Sequence, residues 1–141
     1  RFVADAAIKN MIAVGQSPKK SKVVILGLTF KENCPDTRNS KVDDIIKRLN
    51  EFEIYPVIVD PWANESDAMH EYGVTLTKLE NIKGADCIIV AVAHNEFKAL
   101  KLDDIKKLYR ECADKEKVLL DVKGIYKVEE LNKSGIKYWR L

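Results

Sequence analysis

The sequence predicts a three-layer α/β domain: a mostly parallel sheet with helices on both faces, preceded by an N-terminal helix. Three observations carry this. Runs such as Val23 to Leu28 and Cys87 to Val92 are apolar without alternation and rich in β-branched residues and leucine, as in strands covered on both sides. Between such runs lie stretches whose apolar residues recur at helical spacing. The two kinds of segment alternate along the chain, which argues for right-handed crossovers between parallel strands.

In order, Phe2, Ala6, Ala7, Met11 and Val14 predict a first helix, stopped by Gly15 and Pro18. Residues 17–22 are polar and basic and read as a linker into the strand Val23 to Leu28. A polar loop from Thr29 to Asn39 follows. Val42, Ile45, Ile46, Leu49 and Phe52 then form a stripe at i, i+3, i+4 and i+7, opened by a capping box of Ser40 and Asp43. Tyr55 to Val59 is a strand ended by Asp60-Pro61, and Glu65 to Tyr72 a helix closed by Gly73. Val74 to Leu76 is a candidate for a brief strand. Cys87 to Val92 is the next long one, followed by a helix from Leu102 to Cys112 with Ile105, Leu108 and Tyr109 inward. Val118 to Val122, a helix from Val128 to Lys133 and a last strand from Ile136 to Arg140 complete the pattern.

The 141 residues fit one domain of ordinary size, and 46% hydrophobic against 33% charged residues argues against disorder. Lys and Arg number 24 and Asp and Glu 22, a net charge of +2, so there is no single-sign field of the sort that marks a nucleic-acid or membrane-surface binder. The longest apolar runs are too short to cross a bilayer. Cys34, Cys87 and Cys112 are odd in number and lack a metal or CxxC pattern, which suits a reducing cytoplasm. The chain opens on Arg-Phe-Val within a helical pattern, as expected of a piece of a longer protein.

In open α/β sheets ligands bind beyond the carboxyl ends of the strands, so the loops after Leu28, Val59, Val92 and Val122 are the places for a site. The first loop brings Phe30, Lys31 and Arg38 to the start of the clearest helix, where cations and free backbone N–H groups can hold a phosphate or diphosphate. The alternative is that Lys31 and Arg38 are solvated charges paired with Glu32 and Asp36. A G-x-G-x-x-G fingerprint is missing, with only Gly27 present, so the standard mode of NAD binding is rejected for this fold. Asp60 reads as the turn residue of an Asp-Pro corner. Lys123, beside Gly124 at another strand's end, can join Lys31 around one anion or be an ordinary surface lysine. His94 either contacts a ligand or caps the following turn with Asn95; the structural role is favoured. Cys34 has no histidine near it in sequence and reads as incidental, and the pairs Asp43/Asp44 and Asp103/Asp104 fit helix starts and not catalysis.

The segments GLTFKENCPDTRNSKVDDII (27–46), VIVDPW (57–62), VAVAHNEF (90–97), LLDVKGIY (119–126) and YWRL (138–141) together resemble the C-terminal, UDP-binding domain of the UDP-glucose/GDP-mannose dehydrogenase family. The likeness is to the branch acting on UDP-N-acetylhexosamines in bacterial polysaccharide synthesis. It implies a Rossmann-like domain of a cytoplasmic, dimeric enzyme that oxidises a sugar C6 alcohol to a carboxylate with NAD. Residues 1–16 would be the end of the central interdomain and dimerisation helix, and residues 17–141 the UDP-sugar-binding domain. The family's Phe-Lys pair, which contacts the nucleotide sugar, falls on Phe30 and Lys31. Its Asp-x-Arg arginine, which reaches toward NAD held by another domain, falls on Arg38. Where some members carry Asp-Gly-Arg to contact substrate, this chain has Asp121-Val122-Lys123, which keeps the charge and loses the bidentate fork. The catalytic cysteine, catalytic lysine and glycine-rich NAD loop lie in regions not represented, so no catalytic residue and no metal ligand is assigned, and the fragment alone is expected to be inactive. The competing reading is a stand-alone flavodoxin-like module that binds a phosphate or nucleotide without catalysis. In its phosphoacceptor form it needs an aspartate at the end of the third strand, where VAVAH has none.

Overall fold

The computed structural model describes residues 2–141. Five strands, β1 (Val23–Leu26), β2 (Val57–Val59), β3 (Cys87–Val90), β4 (Val118–Asp121) and β5 (Lys137–Arg140), form one sheet in the order β2-β1-β3-β4-β5, every neighbouring pair parallel. The register sets Leu26 of β1 beside Val59 of β2 and Val90 of β3, so the carboxyl ends of these three strands are level.

Alternate residues feed two cores. Val23 and Ile25 of β1, Cys87 and Ile89 of β3, and Val118 and Leu120 of β4 face α1 (Phe2–Ala13), α2 (Val42–Glu51) and Ala68 of α3 (Glu65–Tyr72). Val24, Leu26, Ile88, Val90 and Leu119 face the other way, onto Phe97 of α4 (Asn95–Lys98), Ile105 of α5 (Leu102–Lys106) and Leu131 of α6 (Val128–Ser134). This is the expected three-layer, Rossmann-like arrangement. On α1 the fully buried residues are Ala4, Ala7 and Met11; the two alanines are small enough to seat the helix close on the sheet, whereas Phe2 and Ile12 stay exposed. Arg48 of α2 donates from Nε to Asp5 of α1 at 2.9 Å and ties the two helices.

Three local expectations need correction. Ser40 does cap α2, its hydroxyl accepting from Val42 N at 3.1 Å, but Asp43 pairs with Lys47 at 2.9 Å and shows no reciprocal capping bond. The helix expected over 102–112 ends at Lys106. Leu108 and Tyr109 instead run beside Ala85: Leu108 O accepts from Ala85 N at 3.0 Å, Arg110 N donates to Ala85 O at 3.0 Å, and the Tyr109 hydroxyl donates to Val118 O at 2.5 Å. Tertiary bonding thus buries Tyr109 in a bridge where helical spacing had placed it on a helix face. Residues 74–76 contribute only a single bridge, Leu76 to Ile58. The short helix α4, directly after β3, was not foreseen.

Candidate functional site

Because β2 and β3 flank β1, the residues that follow them stand on either side of the loop leaving β1. Asp60 follows β2 and His94 lies beyond β3, and both side chains are buried. Asp60 Oδ2 accepts from Leu28 N at 2.6 Å, Thr29 N at 3.0 Å and His94 Nε2 at 2.9 Å, while Oδ1 accepts from Trp62 N at 2.8 Å and Ala63 N at 3.1 Å. His94 Nδ1 accepts from Asn33 N at 2.9 Å, which assigns the ring proton to Nε2 and hence to the bond with Asp60. Burial alone would raise the Asp60 carboxyl, but the bonds from His94, Leu28 and Thr29 outweigh it and hold the group below the ordinary aspartate range. Asp60 is therefore the turn residue expected of the Asp-Pro corner and also the anchor of the next loop.

The loop is held further along as well. Phe30 N donates to Asp36 O at 2.8 Å, Thr37 Oγ1 to Glu71 of α3 at 3.0 Å, and the Tyr72 hydroxyl to Thr37 O. So fixed, it presents Phe30, 52% exposed, and Lys31 to a cleft of about 610 Å³ at the carboxyl ends of β1, β3 and β4. Lys41, Lys98, Lys123 and Gly124 also line this cleft. Lys98 pairs with Glu32 at 3.2 Å. Lys31, Lys41 and Lys123 have no carboxylate partner among the described residues, so three uncompensated ammonium groups border one concavity in a chain that is nearly neutral overall.

The structure thus brings Phe30, Lys31 and Lys123 together and leaves Arg38 apart. The Arg38 guanidinium is 77% exposed, does not line the cleft, and forks onto Asp36 through Nε at 3.0 Å and Nη2 at 3.1 Å. That guanidinium lowers the Asp36 carboxyl. The pairing considered for Arg38 with Asp36 is present; the one considered for Lys31 with Glu32 is not. His94 takes the structural role, although its side chain does not cap α4: its carbonyl does, accepting from Phe97 N and Lys98 N at 3.0 Å. Sequence reasoning missed Lys41 and Lys98. Lys41 adjoins the cap residue Ser40 and Lys98 ends α4, and neither position carries a sequence signal for the direction its side chain takes.

Residues 24–128 match the family described as UDP-glucose/GDP-mannose dehydrogenase family, UDP binding domain. The chain belongs to this family. Its UDP binding domain is similar to the UDP-N-acetyl-D-glucosamine 6-dehydrogenase of Pseudomonas aeruginosa, 43% identical over 122 residues that make up 86% of this chain and 28% of that protein. The protein CapL of Staphylococcus aureus is 36% identical over all 141 residues, 32% of its own length. Among solved structures, the UDP-N-acetyl-mannosamine dehydrogenase Cap5O from Staphylococcus aureus superimposes with a TM-score of 0.67 at 25% identity, over 99% of this chain and 29% of that one. An NDP-N-acetyl-D-galactosaminuronic acid dehydrogenase from Methanosarcina mazei Go1 superimposes with a TM-score of 0.84 at 22% identity, over 99% and 28%, a likeness of fold alone. The chain spans less than a third of the length of these relatives.

Proposed function

We propose that this domain holds the nucleotide half of a UDP-sugar for an NAD-dependent nucleotide-sugar 6-dehydrogenase that oxidises the C6 alcohol to a carboxylate in polysaccharide synthesis. The observation that carries the reading is the cleft bordered by Phe30 and the unpaired Lys31, Lys41 and Lys123. A diphosphate supplies the charge those ammonium groups lack, and Phe30 offers an exposed aromatic face beside it. Remote binding of this kind lets the diphosphate position a reacting carbon elsewhere, which is how a domain without a nucleophile contributes to rate.

The residues present do not form an NAD site. A Cβ on Gly27 would fall 2.5 Å from Val92 Cβ, so this glycine packs strand against strand and cradles no diphosphate. The Asp60 oxygens are filled by five protein N–H donors and have no place for a ribose. The dinucleotide belongs mainly to the N-terminal domain of a full-length, cytoplasmic homodimer, with residues 1–16 as the end of the helix through which two copies pair. Exposed Phe2 and Ile12 on α1 support that pairing. To Arg38 falls the contact with NAD on the neighbouring domain, a role supported by its exposure outside the cleft.

In the full-length enzyme, Lys31→Ala removes a charge-assisted contact of about 1.5–3 kcal/mol and raises KM for the UDP-sugar roughly 10- to 150-fold. Arg38→Ala raises KM for NAD about tenfold and leaves that for the UDP-sugar unchanged. A melting panel on the same protein checks the ligand class: UDP or a UDP-N-acetylhexosamine at about a hundred times its Kd adds roughly 2.7 kcal/mol. GDP-mannose does not match that shift. Absence of any shift with uridine nucleotides overturns the reading.

A further inference from the structure

We infer that His94 is a positioning residue for nucleotide-sugar binding: held by Asp60, it fixes the five-residue turn that presents Phe30 and Lys31 to the cleft. The inference rests on the UDP-sugar reading of that cleft and adds to it a device that lines no part of the cleft itself.

The geometry leaves His94 no other task. Its side chain is fully buried, with the ring stacked on Trp62 at 6.1 Å between centroids and tilted against Phe97 at 5.5 Å. Both ring nitrogens are committed within the protein, Nε2 to Asp60 and to the Thr29 hydroxyl at 3.2 Å, Nδ1 to Asn33 N. A ring so placed has neither a free nitrogen nor access for acid–base work on a ligand. What it does hold is the loop. Thr29 is anchored through its N–H to Asp60, and Asn33 through its N–H to His94 and its Oδ1 from Asn95 N at 2.9 Å. Only residues 30–32 lie between these anchors, and two of them are Phe30 and Lys31. Asn33 holds a φ of +53°, a left-handed conformation that asparagine adopts more readily than other residues with a side chain, and two bonds tie it there. The loop's shape is thus set by ties on its buried side while its outer side faces the cleft.

Two substitutions in the full-length enzyme separate the halves of this device. His94→Gln can keep a donor toward Asp60 and loses the acceptor for Asn33. His94→Asn can keep the acceptor near the Nδ1 position and loses the donor. We expect both to melt below wild type. His94→Gln raises KM for the UDP-sugar about tenfold with kcat and KM for NAD within about twofold, and His94→Asn recovers most of that KM. Lowered melting temperatures with an unchanged KM overturn the inference, since a residue that only fills the core moves stability alone. Lys31→Ala in the same series keeps the failures apart: an effect there with none at His94 defeats only the positioning role, and silence at both defeats the cleft assignment too. If neither histidine variant folds, Asn33→Pro, which has no N–H to give His94 Nδ1 and cannot hold the positive φ, takes their place. A several-fold rise in the same KM supports the inference and an unchanged KM overturns it.

Discussion

Gly27→Ala is expected to destabilise the domain by about 2–6 kcal/mol, which lowers the melting temperature by about 6–24 °C at roughly 3–4 °C per kcal/mol for a chain of this size. Two effects add. Gly27 sits at φ +110°, outside the left-handed region that an L residue can visit at modest cost, and about 1–3 kcal/mol is the usual penalty for such backbone. A Cβ there also meets Val92 at 2.5 Å on Cβ, 2.7 Å on Cγ2 and 2.8 Å on the backbone nitrogen, so no side-chain rotation relieves the overlap and roughly 1–3 kcal/mol of overpacking follows. Gly84→Ala is the control. That glycine has φ +71° with nothing within 4 Å of the added carbon, so only the backbone penalty applies. Thermal melts of the two variants side by side check the claim, and equal losses would show that packing on Val92 adds nothing.

Gly27 illustrates which parts of this molecule a sequence can reveal. The apolar runs of β1 and β3 and the stripe of α2 were legible because burial alone dictates them: each has one periodicity and one face or two to cover. Lys31 and Lys123 were legible because they lie in the loops that leave strands whose ends are level, so the rule that ligands sit beyond carboxyl ends locates them. Lys41 and Lys98 reach the same cleft from helix termini, and nothing in their sequence neighbourhood tells which way such a terminus faces. The path of Leu108 and Tyr109 shows the opposite failure, a helical spacing realised in a bridge because Ala85 offers its N–H and C=O there. Asp60 and His94 were each legible as turn residues. Their meeting depends on β2 and β3 being the two neighbours of β1, a fact of strand order that no local pattern carries.

That meeting sets the second large effect. Asp60→Asn is expected to cost about 3–5 kcal/mol at neutral pH, the range for breaking a buried ion-paired or hydrogen-bonded charge, because one carboxylate oxygen becomes an NH2 that faces only donors. Whichever way the amide turns, it opposes either Leu28, Thr29 and His94 or Trp62 and Ala63. The loss should also depend on pH in a defined direction. The folded carboxyl titrates below the unfolded value of about 3.9, since its hydrogen bonds outweigh its burial. Its stabilising contribution is therefore complete well above that value and disappears as pH falls through the lower, folded pKa. Wild type then loses stability on acidification below about pH 4 more steeply than Asp60→Asn, and the gap between them narrows. Urea unfolding of both proteins at pH 7 and at pH 3 measures that gap. A difference that stays constant across the range would mean that amide shape, and not the ionised carboxylate, accounts for the loss, and the loop carrying Phe30 and Lys31 would then owe its anchorage to geometry without charge.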